Sequence, residues 1–480
     1  MKNYIGIDLG TSSVKLLLVG EDGSVKKEAH RGYPLYLSEG AKSEQDPRDW
    51  LSKTEEALDE LLSGVDRASV YGVAVAGQMH GLVLLDENDE PIRRAILWND
   101  GRSEKETRFL NEQYGVDALV KESANMAFPG FTLPKLLWVK NNEPALFSKI
   151  KKVMLPKDYL VYMLSGVFAT DASDAAGTLY FDVEKRTWSA PLCALAGITP
   201  DVLPTVYDSE EKVGMLKEKY NLPNAVLAAG AGDNAAAAVG VGAVHAGDAN
   251  LSLGTSGTLF IASDRFPDVK NPALHTFAYA KDKWHFLGCI LSAASAQKWF
   301  IKDILRDKYD QISEETQTNV YFLPYLMGER CPHNDPRARG AFIGLAPTTT
   351  REEMSLAVLE GVAFALRDCL ELAKASGVRV TRSGICGGGA KSPLWKKIVA
   401  NILNLELHTV KTEEGPAYGA AMLSMVASGA YPTTEAAADA LVEIKETVLP
   451  DGDKVAYYEK KYQTFKTLYS ALKNVFAQNY

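Results

Sequence analysis

Apolar and polar segments alternate along the whole chain in a way that predicts strands and helices in turn, the pattern of an α/β protein. The stretch DPRDWLSKTEEALDELLSG predicts a helix with Asp46 as its N-cap, Pro47 in its first turn and Gly64 at its end. Its apolar residues share one helical face and are Trp50, Leu58, Leu61 and Leu62. The next segment, SVYGVAVAG, is nearly all apolar and therefore predicts a strand that is buried on both faces.

The second half of the chain contains longer helical patterns. The segment TREEMSLAVLEGVAFALRDCLELAKASG begins with a capping box formed by Thr350 and Glu353 and ends at Gly377. Its apolar stripe comprises Met354, Val358, Val362, Leu366 and Leu370. Towards residue 480, aromatic residues and leucine recur at helical spacing, at Tyr458, Tyr462, Phe465, Tyr469, Leu472 and Phe476. Such a stripe could bind a partner, but packing against its own domain is the favoured interpretation.

One unit of the pattern occurs twice. YIGIDLGTSSVKLLLVG near the start and DANLSLGTSGTLFIAS near the middle each predict a strand, a Gly-Thr-Ser turn and a second strand. Two such units so far apart predict two domains with the same beginning, residues 1–244 and 245–480, that face each other across a cleft. Only the first unit carries an acid, Asp8, just before its glycine.

Length and composition narrow the classes of protein that remain. At 480 residues the chain is too long for one ordinary core, and 46% hydrophobic with 24% charged residues is typical of globular proteins. The net charge of −9 provides no basic face, so no nucleic-acid partner is expected. The Ala/Gly-rich stretch AVLAAGAGDNAAAAVGVGAV carries Asp233 and Asn234 at its centre, which argues against a membrane span.

The cysteines indicate the compartment. All five are scattered without a C-x-x-C pair, which argues against a disulfide framework and fits a reducing cytosol. Cys331 and His333 lie close together in sequence, but a structural zinc needs four ligands and no others lie nearby. The first residues predict a strand and not a signal peptide. We therefore expect a soluble, cytoplasmic protein without a membrane partner.

The first repeated turn is a candidate phosphate site. In DLGTSSVK, Gly10 permits a tight turn close to a ligand, and hydroxyl and N–H donors follow at Thr11, Ser12 and Ser13. These donors suit phosphate oxygens, and a cation held by Asp8 would neutralise the phosphate charge.

The second turn contains Gly254, Thr255 and Gly257 and offers the same donors without an acid. Two such turns facing each other could hold the phosphate tail of a nucleoside triphosphate from both sides, with a metal needed on one side only. A plain hairpin with polar turn residues is the alternative for either copy alone, and the presence of both favours the phosphate site. No G-x-x-x-x-G-K-S/T phosphate loop occurs in the sequence.

A further acid, Asp233, stands at the start of a predicted helix. The surrounding stretch also matches a dinucleotide pattern through Gly230, Gly232 and Ala235, but that pattern would place Asp233 against a pyrophosphate. Because two anions at one site repel, the dinucleotide interpretation is disfavoured. A carboxylate at a helix N-terminus is stabilised as the anion and can accept the proton of a substrate hydroxyl. Asp233 is therefore the candidate general base.

Two further turns offer groups that suit a polyhydroxylated small molecule. Gln78, Met79 and His80 follow the buried strand, and strand ends are where α/β proteins bind ligands. The segment ILWNDGR supplies a ring face with polar groups through Trp98, Asn99, Asp100 and Arg102. A hydrogen-bonded structural histidine and a surface hairpin are the respective alternatives.

A glycine-rich step suits a large, flat ligand. The segment ICGGGAKSPLW predicts a strand and then a helix capped by Ser392. Between them lie Gly387, Gly388, Gly389 and Ala390. Three glycines let a planar group such as adenosine lie against the backbone. In EEGPAYGAAMLSM, Gly419 and its small neighbours predict close helix packing beside that site.

Together these segments resemble the FGGY carbohydrate kinases of the actin-like ATPase superfamily. The motifs span essentially the whole chain in the family's order: DLGTSSVK, GDNAAAAVG, LGTSG, RGAFIGLAPTTTREEMSLAVLEGVAF and CGGGAKS. The turn AGQMHGLVLLD and the segment ILWNDGR resemble those of the members that phosphorylate D-xylulose. The resemblance implies two ribonuclease-H-like domains joined by a hinge, with ATP and Mg²⁺ as cofactors and a homodimeric assembly.

The resemblance also implies residue roles. Asp233 would accept the proton of the sugar's terminal hydroxyl, and Asp8 with Asp233 would engage magnesium, largely through water. The sugar pocket would comprise Met79, His80, Asp100, Asp233 and Asn234. The turns at Thr11 and Thr255 would hold phosphates, and adenosine would lie against Gly388, Gly389 and Ser392.

Three alternatives remain open at this point. D-ribulose or L-ribulose could replace D-xylulose, because the stereochemistry of a pocket depends on distances. An actin-like or chaperone-like ATPase shares the two turns but has no need of the Gln78–His80 turn or the Trp98 ring. A sugar-binding regulator without catalysis is disfavoured by the intact Asp8 and Asp233.

Overall fold

The structure is a computed structural model of the chain and describes residues 2–38, 41–306, 312–412 and 414–479. The strands of the first half are β1 (Asn3–Leu9), β2 (Ser13–Gly20), β3 (Val25–Gly32), β4 (Tyr36–Ser38), β5 (Lys42–Gln45), β6 (Val70–Gly77), β7 (Val83–Leu85), β8 (Ala95–Ile96), β9 (Lys152–Met154), β10 (Ala169–Asp171), β11 (Phe181–Asp182), β12 (Thr187–Trp188), β13 (Thr205–Tyr207), β14 (Lys212–Met215), β15 (Val226–Ala228) and β16 (Ala231–Gly232). Those of the second half are β17 (Asp248–Leu253), β18 (Gly257–Ser263), β19 (His275–Tyr279), β20 (Lys283–Ile290), β21 (Tyr321–Leu323), β22 (Ala341–Ile343), β23 (Arg382–Cys386), β24 (Glu406–Val410) and β25 (Ile444–Val448). The α-helices are α1 (Pro47–Leu62), α2 (Glu104–Arg108), α3 (Val116–Ser123), α4 (Thr132–Asn142), α5 (Pro144–Phe147), α6 (Pro156–Ser165), α7 (Ala172–Ala175), α8 (Ala190–Ala196), α9 (Asp233–Gly240), α10 (Ala294–Trp299), α11 (Arg351–Ala375), α12 (Pro393–Leu403), α13 (Gly415–Ala427), α14 (Thr434–Leu441) and α15 (Gly452–Asn479).

The first half is organised around a seven-stranded sheet in the order β14-β15-β6-β1-β2-β3, with β16 also pairing with β6. Strands β1, β2 and β3 form an antiparallel meander, and β6 and β15 continue the sheet parallel to β1. Helix α1 begins after its predicted N-cap, where the Asp46 carboxylate accepts a hydrogen bond from the Arg48 N–H. Its apolar face is buried as predicted, in one core with alternate residues of β1 and β2.

The second half repeats this order in a seven-stranded sheet, β19-β20-β18-β17-β23-β24-β25. Strands β17, β18 and β20 are antiparallel, and β23 and β24 continue parallel to β17. The predicted capping box of α11 is present, because Thr350 and Glu353 bond to each other's backbone N–H groups. The aromatic stripe of α15 shares a buried core with α11 and the strands, which confirms that it packs against its own domain. The two similar sheets with helices on them confirm the predicted two-domain α/β class.

Helices α9 and α13 follow the last parallel strand of their respective halves and pack directly on each other. Their approach is so close that a Cβ on Gly419 would lie 1.8 Å from the carbonyl oxygen of Ala236. A Cβ on Gly240 would likewise lie 2.6 Å from the carbonyl oxygen of Gly415. Glycine is therefore required on both helices, and the predicted close packing around Gly419 is confirmed.

The predicted domain boundary at 244/245 falls between α9 and β17, and the two halves contact each other at several places. Helix α13 lies on the first sheet, where a Cβ on Gly6 would be 1.8 Å from the carbonyl oxygen of Ala417. On the opposite side of the cleft, Asn125 of the first half exchanges two hydrogen bonds with the backbone of Thr276 in β19. Arg186 donates to the carbonyl oxygens of Ala280 and Lys283 at the β19–β20 turn. The boundary at 244/245 stays a prediction, because the residues on its two sides pack against each other.

All five cysteines are in the thiol form, and three of them are buried. Within the described ranges, none of the helices has both the length and the apolar character needed to cross a membrane.

Candidate active site

The first repeated turn joins β1 to β2, and side chains of the first half hold it in place. The Gly10 N–H donates to the Ser13 carbonyl oxygen at 3.1 Å, and the Tyr33 hydroxyl donates to the Gly10 carbonyl oxygen. The Gln45 amide donates to the Thr11 carbonyl oxygen at 2.6 Å. Ser12 lies at the tip and is exposed. The turn is therefore ordered by its neighbours, while its outer donors are open to a ligand.

The second turn joins β17 to β18, and the start of α10 holds it. The N–H groups of Ala293 and Ala294 donate to the carbonyl oxygens of Thr255 and Gly254 at 3.0 and 2.8 Å. The Thr255 side chain is exposed, whereas Gly257 is buried at the first position of β18. Both turns thus have the predicted hairpin form, with hydroxyl groups left open at their tips.

The glycine run adjoins the second turn, because β23 pairs in parallel with β17. Gly387 has a positive φ of 89°, and a Cβ there would lie 2.8 Å from the Leu253 carbonyl oxygen. Gly388 has open space where a side chain would be, while Gly389 packs on the Trp395 ring and Ala390 is buried. Ser392 caps α12 by accepting a hydrogen bond from the Trp395 N–H at 3.2 Å. The open backbone at Gly388 is the feature that suits a flat group.

Asp8 lies near the carboxyl end of β1 and Asp233 at the start of α9, close enough for the charge of Asp233 to act on Asp8. Asp233 is the first residue of α9, and its Oδ1 accepts hydrogen bonds from Asn234, from the N–H at 2.7 Å and from Nδ2 at 3.1 Å. Burial raises the pKa of Asp233 to about 6, against the hydrogen bonds from Asn234, which lower it. Burial and the charge of Asp233 raise the pKa of Asp8 to about 7, while Lys15 lowers it. Two desolvated carboxylates, one of which raises the pKa of the other, form a site that favours a cation.

Five of the predicted sugar-binding residues line one cavity of about 320 Å³ between the two halves. They are Met79, His80, Trp98, Asp233 and Asn234. The Trp98 ring is 45% exposed, and its N–H donates to the Thr11 hydroxyl at 2.9 Å, which links this cavity to the first phosphate turn. Ser256 and Thr258 bring the second turn to the same cavity. The predicted base, sugar groups and both turns therefore meet in one place.

The other predicted sugar residues lie outside the lining of that cavity. Gln78 is buried, and its amide donates to Gln45 at 3.0 Å. The Asp100 carboxylate is buried, where it pairs with Arg102 at 2.7 Å and accepts from the Ser43 N–H at 2.6 Å. Asn99 is exposed between Trp98 and Asp100. Neighbouring residues of a turn point in different directions, so Met79 and Trp98 face the cavity while Gln78 and Asp100 support it from behind.

His80 is held as a neutral ring in a conformation that is uncommon for a residue other than glycine, with φ of 69°. Its Nδ1 lies 2.7 Å from the Gly177 carbonyl oxygen, and its own carbonyl oxygen accepts from Thr132 at 3.0 Å and Lys135 at 2.8 Å. The ring stacks on Phe131, with centroids 4.7 Å apart. Burial lowers the pKa of His80 to about 3, so the imidazole is uncharged at neutral pH. A neutral ring can donate or accept a hydrogen bond with a sugar hydroxyl.

The cavity also has residues that sequence reasoning missed. Aromatic and apolar walls come from Phe128, Gly130, Phe131 and Leu287, and polar groups come from His275, Cys289 and Arg330. The Arg330 guanidinium lies over the Phe128 ring, 5.1 Å from its centroid. In the sequence Phe128 and His275 are indistinguishable from ordinary core residues, and the segment around Arg330 gave no motif beyond the rejected zinc pair. Their role depends on the meeting of the two halves.

The motif order, the duplicated sheets and this cavity agree with one family. The N-terminal domain of the FGGY family of carbohydrate kinases matches residues 3–240, and the C-terminal domain of that family matches residues 249–428. The chain therefore belongs to the FGGY family of carbohydrate kinases, which confirms the resemblance seen in its motifs.

Individual relatives are similar over nearly the full length. The xylulose kinase of Escherichia coli (strain K12) is 39% identical, and the alignment covers 98% of this chain and 99% of the relative. The xylulose kinase of Klebsiella pneumoniae is also 39% identical, with the same coverage of 98% and 99%. The crystal structure of a xyloylose kinase from Brucella ovis superimposes with a TM-score of 0.92 at 37% identity, covering 98% of this chain and 100% of that one. The fold of this chain is thus that of solved carbohydrate kinases, in agreement with the predicted actin-like ATPase type.

Proposed function

We propose that this protein transfers the terminal phosphoryl group of ATP to the C5 hydroxyl of D-xylulose, giving D-xylulose 5-phosphate and ADP. The observation that carries the proposal is the cavity of about 320 Å³ in which Met79, His80 and Trp98 meet Asp233. Its size and its mixture of ring faces and polar groups suit a five-carbon sugar. The names of the relatives that are 39% identical support D-xylulose as the substrate.

The chain contributes to the reaction mainly by positioning the reacting groups. Phosphoryl transfer passes through a loose transition state, so alignment of the two oxygens and stabilisation of charge supply most of the acceleration. The Asp233 carboxylate lies at the cavity wall and accepts the proton that the sugar hydroxyl loses. Because that proton leaves late, orientation of the hydroxyl matters more than the basicity of the carboxylate. The Trp98 ring and the neutral His80 imidazole hold the sugar, and Asn234 orients the base by donating to it.

The nucleotide lies across the two turns. We place the phosphates between the Thr11 turn and the Thr255 turn, where exposed hydroxyl and N–H groups face the cleft. The adenosine lies against the open backbone at Gly388, beside the second turn. The pairing of β17 with β23, which puts these two features side by side, supports this arrangement.

A magnesium ion fits the carboxylates of Asp8 and Asp233. Oxygen ligands are the ones that Mg²⁺ prefers, and a cation would offset both the burial of this pair and the effect of the Asp233 charge on Asp8. Within the residues that the structure describes, no group of three or more His, Cys, Asp or Glu side chains is arranged to hold a metal. The ion would therefore complete its shell with phosphate oxygens and water. When bound, it neutralises the charge of the phosphates.

The test is release of ADP, coupled to oxidation of NADH, with ATP and Mg²⁺ and a panel of D-xylulose, D-ribulose, L-ribulose, gluconate and glycerol. We expect a rate many times the sugar-free background on D-xylulose alone. Equal rates on several ketoses would retain the kinase and widen the substrate. No stimulation by any sugar would refute the proposal and favour an actin-like ATPase.

A homodimer and a cytoplasmic location complete the proposal, and both are predictions. The homodimer rests on the family resemblance, and sedimentation velocity of the purified chain tests it. The location rests on the scattered cysteines, all in the thiol form, which fit a reducing compartment. Fractionation of the source cells tests it.

A further inference from the structure

The segment that carries the candidate base is held through its backbone by neighbouring segments: β16 pairs with β6, and the Gly230 N–H donates to the Ser209 carbonyl oxygen at 3.0 Å. Residues 229–232, between β15 and Asp233, read Ala-Gly-Ala-Gly and have no polar side chain. Gly230 has a positive φ of 82°, and a Cβ there would lie 2.0 Å from the Val75 carbonyl oxygen. The position of Asp233 therefore depends on groups that other segments bring to this junction.

One such group is the hydroxyl of Ser173 in the short helix α7. Its oxygen accepts a hydrogen bond from the N–H of Gly232, the residue just before Asp233, at 3.1 Å. The Ser173 hydroxyl proton is itself donated to Asp171 Oδ2 at 2.6 Å. Because that proton is already engaged, the oxygen is left to act as an acceptor toward Gly232. All three residues are buried, so water cannot substitute for the contact without a rearrangement.

A buried cation anchors the other end of the same junction. Lys157 in α6 is fully buried, and its Nζ donates to the Ala229 carbonyl oxygen at 3.3 Å and to Asp158 at 2.8 Å. The same Nζ lies 3.2 Å from Asp171 Oδ1. Asp171 therefore connects Lys157 at the start of the junction with Ser173 at its end. Together they fix the backbone on both sides of Gly230, whose positive φ glycine adopts readily.

The network of Lys157, Asp171 and Ser173 lies between Asp233 and the cavity wall that the second half provides. Helix α7, which carries Ser173, packs against β19 of the second half. Strand β19 contributes His275 to the cavity wall. A buried ion pair is a weak source of stability compared with apolar packing of the same volume, and it is better suited to fixing one geometry.

We infer that Ser173, oriented by Asp171 and Lys157, is a positioning residue that sets the place of Asp233 through the Gly232 N–H. The inference rests on the proposed function, because it assigns Asp233 the role of base. Loss of the Ser173 oxygen leaves the Gly232 N–H buried without an acceptor. The junction then moves to find one and carries Asp233 away from the sugar hydroxyl.

The test compares Ser173→Ala with a matched control, Ser209→Ala. Ser209 is also buried and also donates its hydroxyl to Asp171 Oδ2, at 2.7 Å, but it holds the junction through its carbonyl oxygen, which accepts from the Gly230 N–H at 3.0 Å and which alanine keeps. Both variants remove one hydrogen bond to Asp171, and only Ser173→Ala removes the acceptor of Gly232. We expect kcat to fall by about tenfold to a hundredfold in Ser173→Ala with little change in the KM for the sugar. We expect Ser209→Ala to stay within about twofold of the parent.

A double variant separates positioning from a general structural role. In an Asp233→Ala background, Ser173→Ala should leave the residual sugar-dependent rate unchanged, since Ser173 acts only through Asp233. Equal losses of kcat in Ser173→Ala and Ser209→Ala, or a further loss in the double variant, would overturn the inference. If the parent phosphorylates no sugar, the proposed function fails instead, and the two failures are distinguishable.

A measurement on the parent protein keeps the inference testable even if Ser173→Ala does not fold. The Gly232 N–H should exchange with solvent slowly in hydrogen-exchange experiments, because it is buried and bonded. Rapid exchange at this amide in the folded parent would show that Ser173 does not hold it and would end the proposal.

Discussion

The two halves of the molecule share one succession of strands and helices but place different chemistry at equivalent positions. Near the end of the first strand, β1 carries Asp8 opposite Lys15, whereas β17 carries Ser252 opposite Thr258. After the last parallel strand, α9 begins with Asp233, whereas α13 begins with Gly415. Both acids of the candidate site therefore come from the first half.

The difference shows what the duplicated fold decides and what it leaves to single residues. In both halves the turn between the first two strands and the last helix start lie at the same end of the sheet, where ligands bind in α/β proteins. The first half fills these positions with carboxylates suited to a cation and a hydroxyl proton. The second half fills them with hydroxyl and backbone groups suited to phosphate and adenosine. Asymmetric chemistry thus comes from a symmetric backbone.

The largest expected effect on turnover comes from replacing Asp233, the first residue of α9. Asp233→Ala should lower turnover at least about a thousandfold, because the proposed general base is lost. The matched variant in the second half is Glu414→Gln, just before α13, which should stay within about tenfold of the parent. Steady-state ADP release with D-xylulose measures both. A thousandfold loss in Glu414→Gln as well would remove the contrast between the halves.

The next largest effect is expected in β1, and β17, the first strand of the second half, provides the comparison. Asp8→Asn should lower kcat by about a hundredfold and raise the Mg²⁺ concentration needed for half-maximal rate, because one carboxylate of the cation site is lost. Ser252→Ala, at the equivalent position of β17, should change kcat by no more than about threefold. Magnesium titrations at saturating ATP and sugar provide the readout. An unchanged Mg²⁺ requirement in Asp8→Asn would contradict the assignment of the cation site.

A substitution where α9 and α13 pack on each other should lower the stability of the fold. Gly419→Ala forces a Cβ toward the Ala236 carbonyl oxygen, at a starting separation of 1.8 Å. Separation of α9 and α13 should cost about 3 kcal/mol and lower the melting temperature measured by calorimetry. Gly452→Ala, at the exposed start of α15 with nothing within 4 Å, is the control and should leave that temperature nearly unchanged. Equal melting temperatures in the two variants would show that the two helices can separate without cost.

The smallest effect concerns an acid of the second half that lies outside the cleft. Burial raises the pKa of Asp368 from 3.8 to about 7, although the Tyr462 hydroxyl donates to its Oδ1 at 2.7 Å. Because the folded pKa is above the unfolded one, the carboxyl costs stability as pH rises from about 4 through 7. Asp368→Asn keeps the acceptor and removes the charge. It should raise the free energy of unfolding at pH 8, where the parent carboxyl is ionised, and leave it almost unchanged near pH 4.

Denaturant unfolding at the two pH values measures this change, and kcat serves as the control. Stabilisation with unchanged kcat would confirm that this buried acid of the second half has no part in the reaction. An equal effect at both pH values would show that the charge of Asp368 is not the cause.

The sequence alone determined the elements and the chemistry at their ends. The cap at Asp46, the capping box of Thr350 and Glu353, and the repeated hairpin depend on neighbouring residues, so they can be read locally. Asp233 could be singled out because a helix start stabilises a carboxylate as the anion, which can accept the proton of a substrate hydroxyl.

Tertiary structure alone decided which residues share the cavity. Phe128, His275 and Arg330 come from segments far apart in the chain, and the packing of the second half against the first brings them together in one cavity. The turn residues Gln78 and Met79 differ in role because their side chains point to opposite sides of the same backbone. Helix α13 lies on the sheet of the other half because Gly6 leaves room for it. Such contacts depend on the shapes of two surfaces at once, and the local sequence pattern of one segment does not predict which other segment it contacts.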